Sequence, residues 1–246
     1  MEIYFYSYTS FIAIFIATIM GSSMVFFLKR NLSNKTSSII FGLTSGVMLS
    51  ASIFGLIIPS MENSYRFKAF PVLIGIFLGA LFLYILDKIL SKSHQNKTHI
   101  KFFIAVTFHN IPEGLAIGIS YSLALFYNDP AYLFSALSLT LGIALQNIPE
   151  SLATSLTLYE SGLSKKKSFF YGSLSGLVEP LFALLGFYIS IRINFLLPWL
   201  LAFAGGSMLY ITIDEITPYI KKEEQSSLGS WFFIIGFCLM IILESI

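Results

Sequence analysis

Eight stretches of this chain are each apolar over roughly the length a helix needs to cross a bilayer, and that property decides what it can fold into. They run approximately 4–28, 38–61, 69–90, 102–127, 131–158, 168–191, 195–219 and 228–245. Each stops at a polar break: Lys29-Arg30, Glu62-Asn63, Lys88, Asn128-Asp129-Pro130, Lys165 to Lys167, Arg192 or Lys221-Lys222. A hydrocarbon core about 30 Å thick takes about 20 residues of helix to span. Composition agrees, since 56% of the residues are hydrophobic and only 11% are charged, against about 25% charged in soluble domains. A soluble fold of this length has no means of hiding so much apolar surface. Strands are disfavoured, because barrel strands alternate polar and apolar residues and these runs do not. The expected fold is therefore an all-α integral membrane protein of eight transmembrane helices, one domain over residues 1–246. The longest loop, Ser91 to Lys101, is only about ten residues.

The chain begins MEIYFYSYTS, with an acidic residue, no basic leader and no small-residue cleavage site, so it reads as the start of the first span. Cys238 is the only cysteine, which excludes an intrachain disulfide and a thiolate zinc cluster. A net charge of +2 without a basic run argues against nucleic acid as a partner and leaves membrane lipid. The basic residues are distributed unequally between the two sides. Loops after the odd-numbered spans hold Lys29, Arg30, Lys35, Lys88, Lys92, Lys97, Lys101, Lys165, Lys166, Lys167, Lys221 and Lys222, which is 12 of the 15 Lys and Arg. The other side holds Arg66, Lys68 and Arg192. Positive charge is retained in the cytoplasm, so both termini are expected outside. Abundant Phe, Ile, Tyr, Lys, Asn and Ser point to an AT-rich genome, and the short loops suggest a bacterial plasma membrane.

Several ionisable residues fall inside these spans: His109, Glu113, Glu150, Glu179, Asp214 and Glu215. Each costs about 2.5–3.5 kcal/mol at the centre of an inserted helix even on the lenient scale. No basic residue lies at the same depth, so the carboxylates must be protonated, line water or hold a cation, and their grouping favours a cation. His109 and Glu113 are four apart and share a helix face, with Asn110 beside them. The run His109-Asn110-Ile111-Pro112-Glu113-Gly114-Leu115-Ala116 is repeated 37 residues later as Gln146-Asn147-Ile148-Pro149-Glu150-Ser151-Leu152-Ala153. Spans four and five cross in opposite directions, so the two runs meet at similar depth, and paired interrupted helices near the midplane mark transporter sites. Pro112 and Pro149 free the carbonyls of Phe108 and Leu145 and predict kinks there. Carboxylate, imidazole and amide oxygen without thiolate suit zinc, iron(II), manganese or cadmium and disfavour copper(I). Because glutamate must shed its proton to bind a metal, binding is expected to depend on pH.

The two runs resemble the signature of the ZIP (Zrt/Irt-like) family of metal-ion transporters, and the glutamine opening the second resembles the GufA-like branch. The resemblance extends to SGVMLSASIFGLIIPSME in span two, SGLVEPLFALLG in span six and AGGSMLYITIDEITP in span seven. It implies a bundle in which spans one to three and six to eight are inverted repeats around a central kinked pair, four and five. It also implies a binuclear centre with Glu113 and Glu150 bridging. One ion would also see His109, Gln146 and Met48, the other Asn110, Asn147 and Glu179, with Asp214 and Glu215 towards a cytoplasmic exit. Asn147 stands where some relatives carry aspartate, and the short loop holds only His94 and His99 where many relatives have a histidine-rich loop. Met48 taken by itself reads as packing. Gly172, Gly176 and Gly186 read as close helix contacts.

The expected activity is import of zinc or a related divalent ion into the cytoplasm, the direction coming from the resemblance. The ion is cargo; no prosthetic group is expected, and a homodimer is left open. A cation channel would use the same carboxylates. An intramembrane hydrolase would need a zinc with three protein ligands and an open position, whereas His109 is the one histidine at depth and no HExxH or Ser/His/Asp arrangement exists. The chain is therefore not expected to be an enzyme.

Overall fold

In the computed structural model, residues 2–28, 33–64, 69–93, 98–192, 194–213 and 227–244 are described. Every regular element among them is helical: α1 (Glu2–Ser23), α2 (Asn34–Ser50), α3 (Ile58–Glu62), α4 (Ala69–Ser93), α5 (Thr98–Tyr127), α6 (Pro130–Glu160), α7 (Lys165–Gly176), α8 (Val178–Arg192), α9 (Leu197–Ile211) and α10 (Leu228–Glu244). Five stretches are long and apolar enough to cross a membrane: Glu2–Phe26, Ser38–Glu62, Ala69–Leu86, Pro130–Glu160 and Lys165–Arg192. Leu197–Ile211 and Leu228–Leu243 are shorter apolar helices.

Local chemistry sets the helix starts. The Ser33 hydroxyl accepts from the Thr36 N–H at 3.1 Å and opens α2. Asp129 accepts from the Ala131 N–H at 2.9 Å, with Pro130 at the first helical position, and opens α6. Both arrangements satisfy donors that a helix start leaves without partners. Gly162, at φ 107°, turns the chain sharply after α6, and Ser164 caps α7. Lys165 donates to the carbonyls of Phe26 and Leu28 at 2.9 Å each, tying the end of α1 to the start of α7.

The helix assignment is not broken at the two motif prolines. α5 and α6 run unbroken through Pro112 and Pro149, because a proline removes one hydrogen bond and tertiary packing holds the turns on either side. The interruptions lie elsewhere. A π-helical turn, Ala51–Ile57, joins α2 to α3 before Pro59, and α7 gives way to α8 at Leu177, three residues before Pro180.

The helices pack as two sets. α1 lies along α6 and α5 along α8, with α7 against α1 and α6; α2 lies along α10 and α4 along α9. Contacts of α5 with α9 and of α2 with α6 join the sets. In lipid the drive for such packing is close van der Waals fit, which small residues permit. A Cβ at Gly46 would strike the Phe233 carbonyl, and one at Gly236 the Leu43 carbonyl. Likewise Gly206 abuts the Ile76 backbone and Gly79 the Phe203 carbonyl. All four contacts are backbone to backbone and lie within the second set. Between the sets, Gly142 of α6 meets only the side chain of Met240.

Candidate metal centre

The polar centre belongs to the first set. α5 contributes Asn110 and Glu113, α6 Gln146, Asn147 and Glu150, α8 Glu179 and α1 Thr18; Glu113 is fully buried and Glu179 is 1% exposed. The described part of the site is held by amide donors. Gln146 Nε2 donates to Glu113 Oε1 at 2.6 Å and to Glu150 Oε2 at 3.3 Å. Asn147 Nδ2 donates to Glu179 Oε2 at 2.5 Å, while the Thr18 hydroxyl reaches Glu179 Oε1 at 3.4 Å. Asn110 Nδ2 donates to the Ser175 carbonyl at 3.1 Å. A cavity with room for about one water lies among Thr18, Asn110, Asn147, Glu150, Ser175 and Glu179.

Backbone contacts fix these positions. Gly114 follows Glu113 and lets the α8 backbone approach at Glu179; a Cβ there would strike the Glu179 carbonyl and lie 2.9 Å from its Cα. At the matching place on α6 stands Ser151, whose hydroxyl bonds the Asn147 carbonyl at 2.5 Å. Gly21 of α1 abuts the Ile148 carbonyl and that serine. The glycine-for-serine difference between the two runs thus follows from which neighbour each must admit.

Two oxygens at the centre, Glu113 Oε2 and Gln146 Oε1, are buried with no hydrogen-bond partner. A buried acceptor without a donor is costly, and a cation is a partner that satisfies such an oxygen. Among the described residues no three His, Cys, Asp or Glu side chains gather around one point. The other oxygen donors described beside these carboxylates are the side-chain amides of Gln146, Asn110 and Asn147. Oxygen donors of this kind suit hard or borderline divalent ions.

Six of the expected residues are brought together: Asn110, Glu113, Gln146, Asn147, Glu150 and Glu179. Met48 is fully buried and packs in a separate apolar cluster with Leu83 and Ile211. His109 lies on α5 one turn before Glu113, but its side chain is outside the described residues, as are Asp214 and Glu215. Thr18 and Ser175 were not anticipated. A threonine in an apolar span ordinarily bonds its own helix, and Thr18 does so as well, to the Ile14 carbonyl at 3.2 Å. Sequence alone does not separate that habit from a role beside Glu179.

Residues 93–244 match the family model described as ZIP Zinc transporter. The chain belongs to the ZIP family. It is 35% identical to the zinc transporter GufA of Myxococcus xanthus, over 91% of this chain and 93% of that one. It is 30% identical to the zinc transporter ZIPB of Bordetella bronchiseptica, over 94% of this chain and 78% of that one. Human zinc transporter ZIP11 is 42% identical across 57% of this chain, which corresponds to 41% of the human protein. Membership in this ZIP family makes the chain a divalent-metal transporter and not an enzyme.

Proposed function

We propose that this protein carries zinc, or a related divalent ion such as iron(II), manganese or cadmium, through the membrane into the cytoplasm by way of the Glu113–Gln146–Glu150 centre. The observation that carries the reading is a fully buried carboxylate, Glu113, linked by one amide to Glu150, with partnerless oxygens on both Glu113 and Gln146. Spans four and five hold no Lys or Arg anywhere between residues 102 and 164 to neutralise them. In the full centre, Glu113 and Glu150 bridge two ions. His109 and Gln146 complete one shell, and Asn110, Asn147 and Glu179 the other. Asp214 and Glu215 line the way out.

The architecture proposed is eight transmembrane helices in a plasma membrane with both termini outside, in contact with lipid on the outer faces. Packing register supports inverted repeats. Gly206 and Phe203 follow Gly46 and Leu43 by 160 residues, and Phe233 and Gly236 follow Ile76 and Gly79 by 157. One operation that exchanges span two with seven and three with eight thus carries one pair of glycine contacts onto the other. Met48-Leu49 and Met208-Leu209 are each followed closely by a π-helical turn, at Ala51 and at Thr212, as that operation requires. The described carboxylates and amides of the centre sit in one helix set, and Gly142 meets the other set at the Met240 side chain, an arrangement that favours a carrier with alternating access over a fixed pore.

The test is uptake into liposomes containing a zinc-responsive dye. Wild type is expected to show saturable uptake, and Glu113→Ala or Glu150→Ala, verified as folded, to abolish it. Wild-type vesicles that stay dark with zinc, iron(II), manganese and cadmium would sink the transport reading. Unitary currents in place of slow saturable flux would favour a channel.

A further inference from the structure

We propose that Gln146 stands in for the ion, so that the carrier can return through the membrane without cargo; the inference rests on the carrier reading above. A carrier with alternating access moves its site through the membrane core twice per cycle, once with the ion and once without. On the loaded passage the cargo meets the negative charge of Glu113 and Glu150. On the return that charge is met by protons or by donors of the protein itself, and residues 102–164 contain no Lys or Arg.

Gln146 is placed for that role. Its Nε2 lies between the two carboxylates, donating to Glu113 Oε1 at 2.6 Å and to Glu150 Oε2 at 3.3 Å, so the two N–H bonds span the gap that a bridging cation spans. The side chain is 1% exposed, so water does not compete for these bonds. Its other atom, Oε1, is buried without a partner, as is Glu113 Oε2. The terminal amide torsion is broad and two-fold. A half-turn withdraws the N–H groups from the carboxylates and presents Oε1 as a neutral ligand. One side chain is thus a donor to the carboxylates or an acceptor for the ion, and never both at once. The neighbouring Asn147 reaches a single carboxylate, its Nδ2 donating to Glu179 on α8.

Carrier kinetics isolate this role. Exchange of external radioactive zinc for zinc inside the vesicle needs only loaded passages, whereas net uptake into zinc-free vesicles also needs the cargo-free return. Gln146→Glu keeps an oxygen ligand and loses the N–H donor; Gln146→Met fills the space with neither. In both variants the ratio of exchange to net uptake is expected to rise about tenfold or more above wild type, the effect of losing a hydrogen bond to a charged group on one passage only. A purely ligating or packing role moves both rates in step and leaves the ratio unchanged, and that result in either folded variant overturns the proposal. Wild type that moves zinc in neither assay overturns the carrier reading and this inference with it.

Discussion

At the scale of single residues, the centre is a set of carboxylates whose oxygens are shared out among neutral donors. Glu179 has both oxygens engaged, by Asn147 and by Thr18, whereas Glu113 has one oxygen without a partner. This asymmetry was half legible. The repeated run gave Glu113, Gln146, Asn147 and Glu150 directly, because carboxylates without basic neighbours are rare in apolar helices. Thr18 was hidden, since a hydroxyl in a span reads as bonding its own backbone. The division predicts how Asn147→Asp behaves. The change replaces the N–H donor of Glu179 with a second acceptor and is expected to destabilise the metal-free protein by about 1–3 kcal/mol. Added zinc should restore what was lost, because a cation satisfies both carboxylates. Thermal melting with and without zinc checks this; a melting temperature that stays low in saturating zinc would show that the Glu179 side of the centre does not take an ion.

At the scale of elements, the described ends of spans one to six and eight lie within a few residues of those read from hydropathy, because Lys165 and Asp129-Pro130 are chemically sharp stops, whereas the end of span seven lies outside the described residues. What hydropathy did not reveal was where helices break. α5 and α6 continue through Pro112 and Pro149, while the break at Leu177 and the π turn at Ala51–Ile57 lie near other prolines. A proline's effect depends on whether neighbouring helices hold the turns around it, which no single span records. The α5–α8 contact at Gly114 is the element-level feature on which the centre depends most directly. Gly114→Ala drives a methyl into the Glu179 backbone, and overpacking of this kind costs about 1–3 kcal/mol. Transport is expected to fall steeply with the helical content unchanged in circular dichroism, because the insult moves Glu179 rather than unfolding α8. Unimpaired flux in Gly114→Ala would mean that Glu179 is not held by that contact.

At the scale of the whole molecule, backbone-level glycine contacts occur inside each helix set, and the Gly142–Met240 contact between sets is made by a flexible side chain. The sets are therefore expected to move against one another as the site changes sides. With Cys238 replaced by serine, a disulfide between Gly142→Cys and Met240→Cys should stop uptake, and reduction should restore it. Full uptake in the oxidised form would show that α6 and α10 need not part. Pairing of the sets was not legible in the sequence, because every span is apolar on most faces and periodicity does not say which face meets which partner. The central claim, that an ion crosses between Glu113 and Glu150, is tested most directly by anomalous diffraction at the zinc edge from zinc-loaded protein. The expected result is a zinc peak about 2.0–2.2 Å from a carboxylate oxygen of each residue. Zinc bound only at the loops or termini, with none between these two side chains, would contradict the account.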